Sequence, residues 1–423
     1  MKSGDTLSLT IEKPAAGGRM IARADGQVVL VSGAIPGERV SARVERVSKS
    51  VAYAETIYVA EGSPDRREAG GDPQCGGALY THIAYPRQLT IKRDVVVDAF
   101  TRIGRLELPS GLHVAPSPEQ GYRMRARLHV RGRRVGFFRE ATHDLCDVRP
   151  TGQLLPSTCD VVERLTATMR SLGIDAVREL ELTENVDASN RVVALDSAGP
   201  IDARAIDRLA STDGLTGVAS AAGVHGEPHV MDRLDVGGAA VVLRRHVLAF
   251  FQGNRFLLND LVSHVVAQVP AGAPLVDLYA GVGLFAVSAA AARGVDVTAV
   301  EGDRYAASDL VANAKDTGMR AVHLSVEEWV RSVRLQPDRP PALIVDPPRT
   351  GMSREALEGA LRLHPGRIIY VSCDVATLAR DARRIVDAGL SIARADAFDL
   401  FPNTPHVETV VVFDAPATTG TRI

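Results

Sequence analysis

The sequence predicts an α/β protein whose C-terminal half is a doubly wound, parallel-sheet domain, preceded by a small β-barrel and an α+β central segment. Three observations predict it. From about Leu248, apolar strand-like runs alternate with helical periodicity. Within that half, Pro274–Ala286 reads as strand, glycine turn, helix. Before about residue 60, short alternating segments recur between glycine- and proline-bearing turns, at a spacing that suggests a barrel. The expected domains are 1–60, 61–247 and 248–423.

Composition narrows the class. The 423 residues are 45 % hydrophobic and 24 % charged, as in ordinary soluble proteins. The net charge of −2 means that any nucleic-acid site must be a local patch. The first residues lack the apolar core of a signal peptide. No stretch reaches the roughly 18 apolar residues that would cross a bilayer. Cys75, Cys146, Cys159 and Cys373 are too widely spaced to suggest a disulfide scaffold. A cytoplasmic location with Cys373 reduced is the expectation.

The barrel strands read as Leu7–Ile11, Val28–Val31, Arg39–Val44 and Ala52–Val59. Arg19, Arg23, Arg39, Arg43, Arg46 and Lys49 give this part a basic surface, either an ordinary solvated face or a binding one. Glu61–Gly77 is a linker rich in Gly, Pro and charge. A helix is expected over about 82–106, packed on the C-terminal domain. In Tyr122–Val130, Arg123, Arg125 and Arg127 alternate with Met124, Ala126 and Leu128. A strand would place the three guanidiniums on one face. Seven arginines run from Arg123 to Arg139 with no acid between them, which reads as an anion site. Residues 150–245 mix a helix, Leu154–Leu172, with strands near Leu180–Leu182 and Arg191–Ala194.

The C-terminal strands are expected at Pro274–Tyr279, Val295–Val300, Ala342–Val345, Arg367–Val371, Ser391–Ala397 and Thr409–Phe413. Gly281 and Gly283 permit a tight turn and close approach of a ligand. Glu301, twenty-four residues beyond Asp277, suits ribose hydroxyls. The run Gly281-Val-Gly-Leu-Phe-Ala286 also matches a relaxed dinucleotide pattern. However, Asp277-Leu-Tyr-x-Gly-x-Gly283 resembles the first motif of Class I S-adenosylmethionine-dependent methyltransferases, and the later motifs fit methyl transfer.

Asp346-Pro-Pro-Arg349 ends one strand and exposes its carboxylate beyond the sheet. Amine methyltransferases carry an aromatic residue where Arg349 stands, which argues against amine methylation. Cys373, in Tyr370-Val-Ser-Cys-Asp374, lies where a buried strand meets the sheet rim. A carboxylate, Glu408, and an imidazole, His406, follow in Phe401-Pro-Asn-Thr-Pro-His-Val-Glu408. A thiol, a base and a cofactor turn suggest covalent catalysis.

Phe251-Gln-x-Asn254, Asp277–Gly283, Asp346–Gly351, Ser372–Arg380 and Phe401–Glu408 occur in that order. Together they resemble the RNA uracil-C5-methyltransferase family. Gly17–Gly26 with Gly33–Glu38 resembles the TRAM domain, an RNA-binding barrel. The resemblance implies an S-adenosylmethionine-dependent enzyme with Cys373 adding to uracil C6 and Glu408 removing the C5 proton. It maps cofactor contacts to Gln252, Tyr279, Leu284, Glu301, Ser325 and Asp346, beside Asp277, Gly281 and Gly283. Substrate contacts fall to Arg123, Arg125, Arg127, Arg349 and His406, and His406 is as readily structural. The target base must be flipped out to meet both thiol and cofactor.

Many relatives bind an iron–sulfur cluster through Cys-x5-Cys-x2-Cys and a distant fourth cysteine. Here Cys75 keeps one place, Ala69 and Ala78 hold two others, and Cys146 matches the fourth. Two thiols cannot ligate such a cluster, so none is expected, and Cys75 and Cys146 are expected close together as a remnant. The TRAM-like barrel favours 23S ribosomal RNA as substrate; a tRNA T-loop uridine is the alternative, and a monomer is expected. Two other classes stay in view: a non-catalytic RNA-binding protein, which has no need of Cys373 and Glu408, and a dinucleotide oxidoreductase, which would bind NAD.

Overall fold

The computed structural model describes residues 1–140, 142–333 and 339–416. The first sheet is the barrel, six strands between Thr6 and Glu61. Its alternation is plain in Arg39–Val47, where Val40, Ala42 and Val44 face inward and Arg39 and Arg43 face water. Two further strands, Lys13–Pro14 and Met20–Ala24, complete the barrel. Tyr80, Ile83 and Ile91 join the barrel core, so the barrel is seated on the helix Tyr85–Ala99 and the residues just before it. Its basic residues are mostly engaged: Arg19 pairs with Glu45, Arg39 with Glu61, and Arg46 stacks on Tyr53.

The central sheet has seven strands, with the helix Pro156–Ser171 on one face. Here the structure corrects the arginine stripe. Arg125–Arg131 pairs antiparallel with Val177–Glu184, which sets Glu181 opposite Arg127. Arg125 and Arg127 share the Glu181 carboxylate at 2.8 and 3.1 Å. Arg134 pairs with Asp147 and Arg139 with Asp72. A run without acids in sequence therefore has its counter-charges supplied across the sheet, because strand neighbours are distant in the chain. Sheet pairing also bears out the expected closeness of Cys75 and Cys146, and adds a covalent bond between them. Cys75 bridges to Arg139 and Cys146 pairs with Phe137, so residues 71 apart in sequence form a disulfide with Cα atoms 5.8 Å apart.

The eight-stranded sheet runs in the spatial order 320–323, 297–301, 275–278, 342–345, 367–372, 408–414, 391–398, 114–115. The first five strands are parallel. The strand Glu408–Asp414 inserts antiparallel between Arg367–Ser372 and Ser391–Phe398, which corrects the purely parallel expectation. The cause is the connection: only residues 399–407 separate the last two strands, too short for a crossover, so they close as a hairpin. The insertion has a chemical consequence. Parallel strands present their carboxyl ends at the ligand edge, and an antiparallel strand presents its beginning there. Ser372 pairs with Thr409, so Cys373 and Glu408 arrive side by side.

The helix expected over 82–106 is α-helical over Tyr85–Ala99 and continues as a π-helical turn, Phe100–Gly104. Val95, Val96, Ala99 and Phe100 enter the core on one face of the large sheet. Among the described residues no helix is long and apolar enough to cross a membrane.

Candidate active site

Cys373 follows directly on the Arg367–Ser372 strand and precedes Asp374, the N-cap of the helix Val375–Asp387. The Asp374 carboxylate accepts from the amides of Ala376 and Thr377 at 3.1 and 2.9 Å. Behind the thiol, Tyr370 donates to Asp381 at 2.8 Å, and Asp381 also receives the Met352 amide at 2.9 Å, so the strand end and the loop after Asp346 are tied together. Burial pushes the Cys373 thiol up to about 12, with the Glu408 and Asp346 carboxylates adding to the rise and Arg349 opposing it.

Glu408 is buried, and its Oε1 finds no hydrogen-bond partner. Burial and the neighbouring Asp346 hold its carboxyl well above the usual range, with Arg349 opposing. Asp346 is raised to about 7 by burial, while the Gln252 amide, donating to it at 3.1 Å, works against the shift. Thiol, two carboxyls and one guanidinium thus form a single electrostatic unit. Its acids and thiol are all displaced upward from their ordinary values by burial and by one another, the usual mark of a reacting centre.

The glycine turn supplies the adjoining cradle. Asp277 is fully buried and neither carboxylate oxygen completes a hydrogen bond. Burial and Asp346 raise it strongly, and the Ala286 amide, near but short of a full hydrogen bond, eases this only slightly. An orphaned buried acid fits a cationic ligand end. Gly281, at φ +57°, faces open space, whereas a Cβ on Gly283 would meet Leu310 and Val287 at 2.9 Å; the first glycine leaves room and the second allows helix packing. Glu301 accepts the Gly281 amide at 2.8 Å and the Asp303 amide at 2.6 Å, which fixes its carboxylate at the strand end. Tyr279 holds the left-handed conformation at φ 64° next to this turn. Leu284 is buried in the first turn of its helix. Ser325 is less free than expected: its hydroxyl closes a capping box with Glu328. The cradle therefore offers the buried acids Asp277 and Asp346 to a cationic group and a fixed Glu301 carboxylate to hydroxyls, a donor set that S-adenosylmethionine would fit.

On the substrate side the expected residues separate. Arg349 and His406 lie at the centre. Burial lowers His406 to about 4, with Arg349, Lys92 and Arg123 adding to the effect, so the imidazole is neutral. Arg123 bridges backbone to Asn254 and bonds the Gln153 amide. Arg125 and Arg127 stand apart, engaged with Glu181. Sequence reading missed Gln88, Lys92, Asn403 and Asp399. A signal was present: Gln88 and Lys92 are polar residues four apart on an otherwise apolar helical stripe, and both are buried. Among the described residues no cluster of three or more His, Cys, Asp or Glu could hold a metal ion.

Comparisons with known proteins agree on one family. Residues 221–415 match the family model "tRNA (Uracil-5-)-methyltransferase", and residues 2–57 match the TRAM domain. The chain is 33% identical to a 23S rRNA (uracil(1939)-C(5))-methyltransferase of Halomonas elongata, over 96% of this chain and 89% of that protein. It is 30% identical to the enzyme of the same name from Pseudomonas putida, over 97% of this chain and 94% of that protein. In fold it is similar to the crystal structure of Pyrococcus abyssi tRNA (uracil-54, C5)-methyltransferase in complex with S-adenosyl-L-homocysteine. That likeness has a TM-score of 0.74 at 24% identity, and covers 96% of this chain and all of that one.

Proposed function

From the premise that this chain belongs to the RNA uracil-C5-methyltransferase family and is an S-adenosylmethionine-dependent enzyme, we propose that it methylates a uridine of 23S ribosomal RNA through a covalent adduct on Cys373. The observation that carries the mechanism is the antiparallel insertion that sets Cys373 beside Glu408. The 23S assignment rests on the full-length likeness to the two ribosomal RNA enzymes and on the N-terminal TRAM domain. A cytoplasmic location and action as a single chain go with that substrate.

Uracil C5 is a poor nucleophile until the ring's conjugation is broken. The Cys373 sulfur, once deprotonated, adds to C6, and the electron pair of the C5–C6 bond moves onto the carbonyl oxygen as an enolate. Arg349, already opposing the rise in the thiol's pKa, stabilises the thiolate. S-adenosylmethionine, when bound against Asp277, Asp346 and Glu301, supplies the methyl group that C5 receives. The Glu408 carboxylate then takes the C5 proton, the C5–C6 double bond re-forms, and Cys373 leaves as the thiolate. Burial of Glu408 suits it to receiving a proton, because the neutral carboxyl is the better solvated form there.

The test is mass spectrometry of Glu408→Gln protein after incubation with S-adenosylmethionine and total cellular RNA. The expected result is a stalled methylated-RNA adduct on Cys373, absent from Cys373→Ala, with the crosslinked sequence lying in 23S RNA. A crosslink to tRNA would reassign the substrate. Absence of any adduct, with no 5-methyluridine made by the wild type, would refute the mechanism.

A further inference from the structure

The loop that delivers His406 and Glu408, residues 399–407, is held by elements far from it in sequence. Four consecutive carbonyls of this loop each accept a hydrogen bond from a different segment. Asn254 Nδ2 donates to Leu400 at 3.1 Å, and Lys92 Nζ to Phe401 at 3.0 Å. Tyr122 donates its hydroxyl to Pro402 at 3.3 Å, and the Tyr80 amide reaches Asn403 at 2.8 Å. Asn403 is the hinge of the loop. It holds the left-handed conformation at φ 62°, and Gln88 grips it reciprocally: Gln88 Nε2 donates to Asn403 Oδ1 at 2.9 Å, and the Asn403 amide donates to Gln88 Oε1 at 3.0 Å. One helical turn on, Lys92 forms a fully buried ion pair with Asp399, at the start of the loop. Gln88 and Lys92 are both buried, on a helix outside the catalytic sheet.

Burying an amide and an ion pair in an apolar helix face costs free energy that hydrophobic residues would not cost. Neither pair is needed to dock the helix, since Val95, Val96, Ala99 and Phe100 already do so. What the polar pairs add is direction: they fix the loop at both Asp399 and Asn403, the two points between which its path to Glu408 is set. We propose that Gln88 and Lys92 are positioning residues for the proton-abstraction step, holding the Asn403 loop so that Glu408 reaches the C5 proton of the methylated adduct. This rests on the assignment of Glu408 as the base. It adds that the base is aimed by the helix Tyr85–Ala99, which precedes the catalytic sheet in the chain. Attack by Cys373 draws on a different strand end, so loosening the loop separates the two halves of the reaction.

The experiment compares wild type, Gln88→Ala and Asn403→Gly on an in-vitro transcript of 23S RNA with S-adenosylmethionine. Asn403→Gly keeps the left-handed backbone accessible and its amide bond to Gln88, while removing the Oδ1 that Gln88 and Arg67 both hold, so it carries the test if Gln88→Ala does not fold. The expected result is a kcat lowered by about a hundredfold, as for a misplaced catalytic group, with KM for RNA within about twofold. A covalent protein–RNA species should also build up in the variants on a denaturing gel and be absent from wild type. A loss confined to KM, or a slowed reaction with no adduct, would overturn the proposal, because a merely structural defect slows attack as well. The same three proteins are exposed to a transcript containing 5-fluorouridine, which lacks the proton that Glu408 removes. Trapping by all three at equal yield supports the positioning role. Failure of wild type to trap would sink the Cys373–Glu408 assignment itself, and this proposal with it.

Discussion

Two buried carboxylates, Glu184 and Glu408, are treated in opposite ways. Glu184 lies where the central segment meets the catalytic half. It accepts from Arg191 at 2.6 Å, from Thr158 at 2.7 Å and from Arg255, while Arg245 beside it is satisfied by Asp232 at 2.6 Å and Thr183 at 2.8 Å. Glu408 is as deeply buried, yet one of its oxygens has no partner and its nearest charged company includes another acid. Asp277 repeats the pattern of Glu408. A saturated charge holds parts together. An unsaturated one stores free energy that a cationic ligand or a transferred proton can recover.

This contrast is sharpest in a matched pair of substitutions. Glu184→Gln leaves two arginines without a counter-charge and should destabilise the protein by about 3–5 kcal/mol, read as a lowered thermal midpoint. Glu408→Gln removes a carboxyl that burial already disfavours, and should leave that midpoint unchanged or raised while product formation falls by about 10²–10⁴-fold. A midpoint lowered equally by both would break the comparison.

A smaller effect tests Arg349, the cation facing the acids. Arg349→Gln removes a charge that lowers the Cys373 thiol, so the thiol rises further. Adduct formation at neutral pH should fall by about tenfold for each unit of that rise. The pH–rate profile for adduct formation should move to higher pH. A profile that moves to lower pH would contradict the assignment.

The smallest effect lies in the barrel, where Glu38 is buried and saturated. Burial alone would raise its carboxyl, but the Arg66 guanidinium and the Ser63 and Ile35 amides outweigh that and hold it below its ordinary value. A lowered folded-state value stabilises above the unfolded-state value and is lost as pH falls through the folded one. The barrel should therefore lose stability on acidification below about pH 4.5, and Arg66→Gln should flatten that dependence. Acid titration followed by tyrosine fluorescence would show it, since Tyr53 and Tyr58 lie on the last barrel strand.

Much of the catalytic half was legible because local rules and tertiary context agree there. Ala342–Val345 is a continuous apolar run and is the observed strand. The glycine turn at Gly281 and Gly283 has its positive φ values where a nucleotide-type turn requires them. Cys373 could be singled out because an apolar run ends at it. The arginine stripe misled, because absence of acids along a strand says nothing about acids across it. The closeness of Cys75 and Cys146 was legible from the motif remnant, but their bond was not, because sheet pairing sets the geometry that allows it.

The sequence by itself determined where most strands and helices form and where a thiol, a carboxylate and a glycine turn fall at strand ends. Periodicity, turn chemistry and motif order are local properties of the chain. Only the tertiary structure decided that Glu408 stands beside Cys373, that Glu181 pairs with Arg125 and Arg127, and that Gln88 and Lys92 hold the loop that leads to Glu408. Each of those depends on strand order, register or helix docking, and these follow from the burial of whole faces rather than from the residues in any one window.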